Sequence, residues 1–227
     1  MSQPAPRTKP YVKIFIILAA ISILVGWNLS TPSGIFGKTD AVGYAVCHRI
    51  DERSLHIGER QLPLCARCSG MYLGAVTGII YQAWFWRKRA GMPARSVLLV
   101  YGLLVAAFGL DGVNSYFHLF PGFRGVYEPQ NWLRLLTGTG MGLVVAGMVV
   151  PAFNQTVWRD WQNTPALGNL RSFLPLALIA LLVDAVVLTE NPLILYPLAL
   201  VSAAGVVLLL TLVYAMLWLI VLRKENR

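Results

Sequence analysis

Charge is what this chain has least of. Only 13% of its 227 residues are charged, against about a quarter in a soluble domain, and 56% are hydrophobic. That excludes an ordinary water-soluble domain. Polar stretches are few, and the apolar runs between them approach about 20 residues, enough to cross a hydrocarbon core of about 30 Å. The first run has basic flanks but no convincing small-x-small cleavage site after it, so it reads as a retained helix and not a removed signal peptide. The net charge of +9 does not point to nucleic acid. The basic residues sit mostly at the ends of apolar segments, where they set orientation and meet anionic headgroups. No internal repeat stands out.

What remains is an all-α, polytopic membrane helical bundle of about six transmembrane helices, with the N-terminus and C-terminus cytoplasmic. Residues 1–10 read as a cytoplasmic tail. Residues 11–227 read as a single six-helix membrane domain with a Cys/His-containing extracytoplasmic segment at 31–69. The spans are expected at 12–29, 70–86, 97–119, 132–150 (ending near Pro151), 173–188 and 192–222. The last is long enough to require tilt, with Pro197 near its start. In the polar segment, Asp40 is placed to cap a short helix through Cys47, and 53–57 can pair with 61–64 as a hairpin around Gly58. With the N-terminus inside, twelve Lys and Arg fall on the inner side and six on the outer, which sets the orientation. The multi-pass chain is accordingly assigned to the cell (inner) membrane.

Cysteine and histidine are sparser still, three of each. All three cysteines and two of the histidines lie between Cys47 and Cys68. Cys65-Ala66-Arg67-Cys68 is a C-x-x-C pair at the start of the second span, with Cys47-His48 upstream and His56 between. Thiolate and imidazole are preferred zinc ligands, and four of them close a tetrahedral site. Cys47, Cys65 and Cys68 with His48 or His56 would supply one. Adjacent Cys47 and His48 do not easily share an ion, which favours His56. Haem attachment is disfavoured, because Ser69 and not His follows Cys68. The same residues also admit redox chemistry: a C-x-x-C at a helix N-terminus has a lowered thiol pKa, and Cys47 would be a third, exchanging thiol. A structural staple, by disulfide or zinc, is the plainest alternative.

Ionisable residues at membrane depth are costly and face a partner or a wet cavity. Asp111, Asn114 and His118 lie toward the outer end of the third span, Arg134 one turn into the fourth, and Asp184 in the outer half of the fifth. They are expected to line one outward-facing pocket capped by the cysteine segment. Asp111 and Arg134, at similar depth on neighbouring spans, are expected to pair. Asp111, with Asn114 one turn later, is the candidate catalytic acid–base group. Arg53, Arg67 and Arg134 are the candidate anion-binding residues, since guanidinium forks match phosphate and carboxylate. A solvated loop surface and a packing ion pair are the plainer readings of these residues. Gly70, Gly74 and Gly78 on the second span, and Gly138 and Gly142 on the fourth, permit close helix approach. That would bring the cysteine segment near Arg134.

Cys47-His48, Glu52-Arg53-Ser54, Pro63-Leu64-Cys65-Ala66-Arg67-Cys68 and Gly70 resemble the signature of a family of small bacterial and archaeal membrane proteins classed as a domain of unknown function. Asp111-Gly112 and Leu133-Arg134-Leu135-Leu136-Thr137-Gly138 resemble its later blocks. The resemblance runs from about residue 41 to 142, over a third of the chain. It implies a multi-pass membrane protein in which Cys47, His48, Arg53, Cys65, Arg67, Cys68, Asp111 and Arg134 belong to one site. It names no reaction.

The leading functional expectation is a Cys/His metal site, zinc in the first instance, beside an outward-facing polar pocket. Metal-assisted hydrolysis or transfer on an anionic or lipid-linked substrate fits it best. One alternative is a membrane thiol–disulfide exchange protein using Cys65 and Cys68. A small-solute or ion transporter lined by Asp111, Asn114, Arg134 and Asp184 ranks last, because paired Gly/Pro-broken helices are missing. The lipid bilayer is the expected partner and nucleic acid is not.

Overall fold

The computed structural model describes residues 10–120, 122 and 125–225. Residues 1–9 of the expected tail lie outside the described residues, as do Arg124 and Arg227. The chain is a membrane helical bundle. Helices α1 (Pro10–Ser30) and α2 (Ile35–Val46) lead through a single turn at Asp51–Arg53 into strands β1 (Ser54–Ile57) and β2 (Arg60–Cys65). Then follow α3 (Ala66–Phe85), β3 (Arg89–Gly91), α4 (Arg95–Phe117), α5 (Asn131–Val157), β4 (Gln162–Pro165), α6 (Leu170–Val187) and α7 (Pro192–Val221).

Five helices, α1 and α4 to α7, are long and apolar enough to cross a membrane. The sixth expected span, α3, has the length: its 20 residues rise about 30 Å at 1.5 Å each. It lacks the apolarity because protein, not lipid, covers it. Its buried face carries Ser69, Gly70, Tyr72, Gly74, Gly78 and Gln82, small or polar groups that a lipid-facing helix avoids. α1 is the opposite case, uniformly apolar with no buried residue.

α3 and α5 form the centre. At Gly138 an added Cβ would collide with the Arg67 carbonyl oxygen, and at Gly70 with that of Leu135. The two backbones therefore touch, as small residues allow in lipid. α5 corrects the expected end near Pro151. It runs on to Val157, and its last turns are anchored by Asn154 Nδ2 to the Arg89 carbonyl (2.7 Å) and Gln155 Nε2 to that of Ala90 (2.8 Å). These bonds compensate for the amide hydrogen that proline lacks.

The polar segment folds onto one end of the bundle. β1 and β2 pair antiparallel, with Ser54 opposite Cys65. Their turn uses Gly58 at φ 59°, where a side chain would be strained. Leu55 and Leu62 of the hairpin pack against Ala66, Leu73, Leu135 and Leu195. Asp40 is not a helix cap: α2 starts at Ile35 after Gly34, and Asp40 sits mid-helix, held by Arg49 (3.0 Å) and Arg60 (2.8 Å). β3 and β4 pair in parallel and tie the other ends of α3 and α5 together.

A thiol cluster beside a buried arginine network

One close approach and one strand-to-helix junction deliver the cysteines to one point. An added Cβ at Gly43 would collide with the Pro63 carbonyl oxygen, so α2 lies directly on β2. Cys47 follows one turn later as the C-cap of α2, its N–H bonded to Gly43 O at 2.9 Å. Cys65 ends β2 and caps the N-terminus of α3, whose first turn carries Cys68. The three sulfurs lie within 4.8 Å of one another, and all three are free thiols. Cys65 is buried, whereas Cys47 and Cys68 are half-buried among Val46, Leu64, Met71, Tyr72 and Val206. The Cys65 amide donates to Cys47 Sγ at 3.3 Å.

These contacts decide where the first negative charge resides. Thiol hydrogen bonds from Cys65 and then Cys68, with the backbone amides of Cys65 and Arg49, hold the Cys47 thiol well below the ordinary cysteine range, against the cost of burial. The neighbouring Cys47 sulfur pushes the Cys65 thiol up.

Neither histidine joins the sulfurs. Among the described residues, the group able to hold a metal consists of Cys47, Cys65 and Cys68 alone. His56 Nε2 lies 2.8 Å from Asp51 Oδ1, and His48 Nδ1 accepts the Ile50 amide at 3.1 Å. The expectation of an imidazole fourth ligand is corrected on geometric grounds. Leu55 packs into the core, and the two imidazoles are engaged elsewhere, His56 by Asp51 and His48 by the Ile50 amide.

The polar side chains pair differently from the expected arrangement. Asp111 is 2% exposed and pairs with Arg67, not with Arg134. Arg67 Nε donates to Asp111 Oδ2 at 3.1 Å, and its Nη2 reaches the Asp111 carbonyl (3.1 Å), Ser115 Oγ (3.0 Å) and Oδ2 as well. Tyr127 OH donates to Asp111 Oδ1 at 2.7 Å, and Thr137 Oγ1 to Oδ2 at 3.4 Å. Both carboxylate oxygens are therefore engaged. Burial, then the Asp111 bond, pushes the Tyr127 hydroxyl up to about 12. Asn114 accepts from the Val126 amide (2.7 Å) and donates to the Tyr127 carbonyl (2.9 Å), so it shapes the α4–α5 connection. Asp184 accepts from Thr139 Oγ1 at 2.7 Å.

Arg134 is 6% exposed. Its Nη1 donates to Asn131 Oδ1 at 2.8 Å, while its Nε is buried with no hydrogen-bond partner among the described residues. Arg53 Nη2 donates to the Ser115 carbonyl at 2.8 Å, and the charges of Arg53 and Arg67 bear on Arg134. The thiol cluster and the arginine network are contiguous: Arg67 sits between two of the cysteines, and Ser54, beside Arg53, is the strand partner of Cys65. Sequence reasoning missed Ser115, Tyr127 and Asn131. Ser115 follows Asp111 by four residues and so shares its helix face. Tyr127 carries no such signal.

The region around these residues has relatives among known proteins. The family described as "Predicted membrane protein (DUF2085)" matches residues 47–148, a stretch holding the cysteines, Asp111 and Arg134. An uncharacterised protein of Methanothermobacter thermautotrophicus is 36% identical over 107 residues, covering 46% of this chain and 86% of that protein. An uncharacterised protein of Methanocaldococcus jannaschii is 26% identical over 122 residues, covering 54% of this chain and 72% of its own length. No solved structure matches.

Proposed function

We propose, from the premise that this chain belongs to the DUF2085 family of predicted membrane proteins, that it carries a three-thiolate metal centre at the outer membrane face. The observation that carries this reading is the convergence of Cys47, Cys65 and Cys68 within 4.8 Å. Zinc–sulfur bonds of about 2.3 Å place tetrahedral sulfurs about 3.8 Å apart, so a small inward movement suffices. Three sulfurs meeting at one point suit an ion better than a disulfide, which takes two and strands the third. Zinc is the metal proposed, with Cys47, Cys65 and Cys68 as ligands and the fourth position left to water or substrate. An open fourth position marks catalytic zinc more than structural zinc. Metal-assisted hydrolysis or transfer on an anionic or lipid-linked substrate is the reaction class proposed. In this reading Asp111 anchors Arg67 and is not itself the acid–base group, because its oxygens are already engaged.

The test is metal analysis of the purified, detergent-solubilised protein. About one zinc per chain is expected, falling below a tenth of that in Cys47→Ser, Cys65→Ser or Cys68→Ser. Metal-free protein with a quantitative Cys65–Cys68 disulfide would overturn the metal reading. It would favour thiol–disulfide exchange, to which the acidified Cys47 thiol is also suited.

A further inference from the structure

We infer that Arg134, with Arg53 and Arg67, forms a seat for a phosphate group at the cysteine end of the bundle. Three guanidinium groups share one carboxylate here, that of Asp111, and Arg67 takes it. The other two cations lean only on neutral oxygens, Arg53 on the Ser115 carbonyl and Arg134 on Asn131 Oδ1. A guanidinium cannot shed its charge, so burial cannot be relieved by deprotonation. Arg134 is 6% exposed, and its Nε has no partner among the described residues, which leaves a donor unsatisfied where such a loss is costly. An oxyanion would satisfy that donor and offset the repulsion that Arg53 and Arg67 exert on Arg134.

The surroundings suit phosphate. Arg134 lies in the first turn of α5, where free amides and the helix dipole favour negative charge. With three guanidinium groups around one carboxylate, the arginine network carries an excess of positive charge that a phosphate oxyanion complements. Asn131 also clamps the hairpin to α5 through the Glu52 carbonyl (3.2 Å) and that of Ser54 (3.3 Å), so Arg53 and Arg134 are held in register without a ligand. The seat deepens the proposed function by giving its site a substrate class. It stands on other residues than the metal ligands, so either reading can fail alone.

The experiment is calorimetric titration of the detergent-solubilised protein with inorganic phosphate and, separately, with short-chain phosphatidic acid and phosphatidylcholine. Saturable binding of phosphate or phosphatidic acid is expected, with none of phosphatidylcholine. Arg134→Lys keeps the charge but loses the fork. It should weaken binding by about tenfold or more, the scale of a charge-assisted hydrogen bond. Arg53→Gln, at a half-exposed position less exposed to folding defects, should do the same. Binding of inorganic phosphate identifies the free anion as sufficient, and binding of phosphatidic acid alone identifies a lipid headgroup. Wild-type protein that binds phosphate but holds no metal would sink the metal reading alone. Absence of saturable binding to either probe, or binding undiminished in both arginine variants, would overturn the seat.

Discussion

The metal reading depends on how closely α2 lies on β2, and Gly43→Ala tests that link without touching a donor atom. The new Cβ would sit 2.9 Å from the Pro63 carbonyl carbon and inside hard contact with its oxygen. Restoring ordinary separations of about 3.5 Å requires α2 to retreat by roughly 1 Å. Cys47 caps the same helix one turn later and moves with it. Metal–sulfur distances tolerate about 0.2 Å, so the retreat takes Cys47 out of coordination unless the strain is reversed on binding. Overpacking of this kind costs about 1–3 kcal/mol. Charged wholly to the bound state, that is about 5- to 150-fold in zinc affinity. The assay is competition with a calibrated chelator, with thermal unfolding run in parallel. Gly102→Ala is the matched control, since a Cβ there meets nothing within 4 Å. Zinc affinity in Gly43→Ala within twofold of wild type would refute the argument from helix approach to sulfur geometry.

Three further outcomes are expected. Asp111→Asn leaves the Arg67 guanidinium partly buried beside a neutral group, so unfolding stability should fall by about 3–5 kcal/mol; Arg67→Met combined with Asp111→Leu should fall by clearly less than the two single losses added, as a double-mutant cycle would show. Tyr127 has its pKa raised to about 12 from the usual 10, so its contribution is fully present below pH 10 and is lost as pH rises toward 12. The stability gap between wild type and Tyr127→Phe should therefore be constant up to pH 10 and shrink above it; a gap that widens there would contradict the assignment. Asp184 has one oxygen on Thr139 and the other buried without a partner, so Asp184→Asn, which keeps an acceptor for Thr139, should leave the melting temperature unchanged or raised, and a marked drop would show that the acid has a role these contacts do not reveal.

Much of the architecture was legible because a bilayer demands long apolar helices and the sequence supplies them. α1, α4, α6 and α7 fall within a few residues of the expected spans. The hairpin at Gly58 was readable from alternation and one turn glycine. α3 was readable as a length and, through its glycines at four-residue spacing, as a close partner of α5; its shortfall in apolarity reflects that burial, which no local window encodes. The convergence of the cysteines was legible from their spacing. The pairing of Asp111 was not: depth and neighbouring spans suggested Arg134, but the Gly138–Arg67 backbone contact brings Arg67 over the same face of α4 with the better geometry. His56 misled because spacing from cysteine says nothing of which strand face a residue occupies. A bulge in the hairpin register between Ser54 and His56 is a further feature that spacing does not reveal.

Arg67 joins the two halves of the site. Its backbone carries Cys68 into the first turn of α3 and rests against Gly138 of α5. Its side chain leaves the cysteines and fastens on Asp111 and Ser115 of α4. One residue thus fixes α3, α4 and α5 relative to one another at the end where the sulfurs gather, and Asn131 fixes the hairpin to the same place. Lysine in its position could supply the charge but not the fork that reaches carboxylate, carbonyl and hydroxyl together. The Cys-Ala-Arg-Cys run is therefore a single structural unit: the cysteines need the helix start that the arginine pins, and the arginine needs the close helix contact that the neighbouring glycines permit.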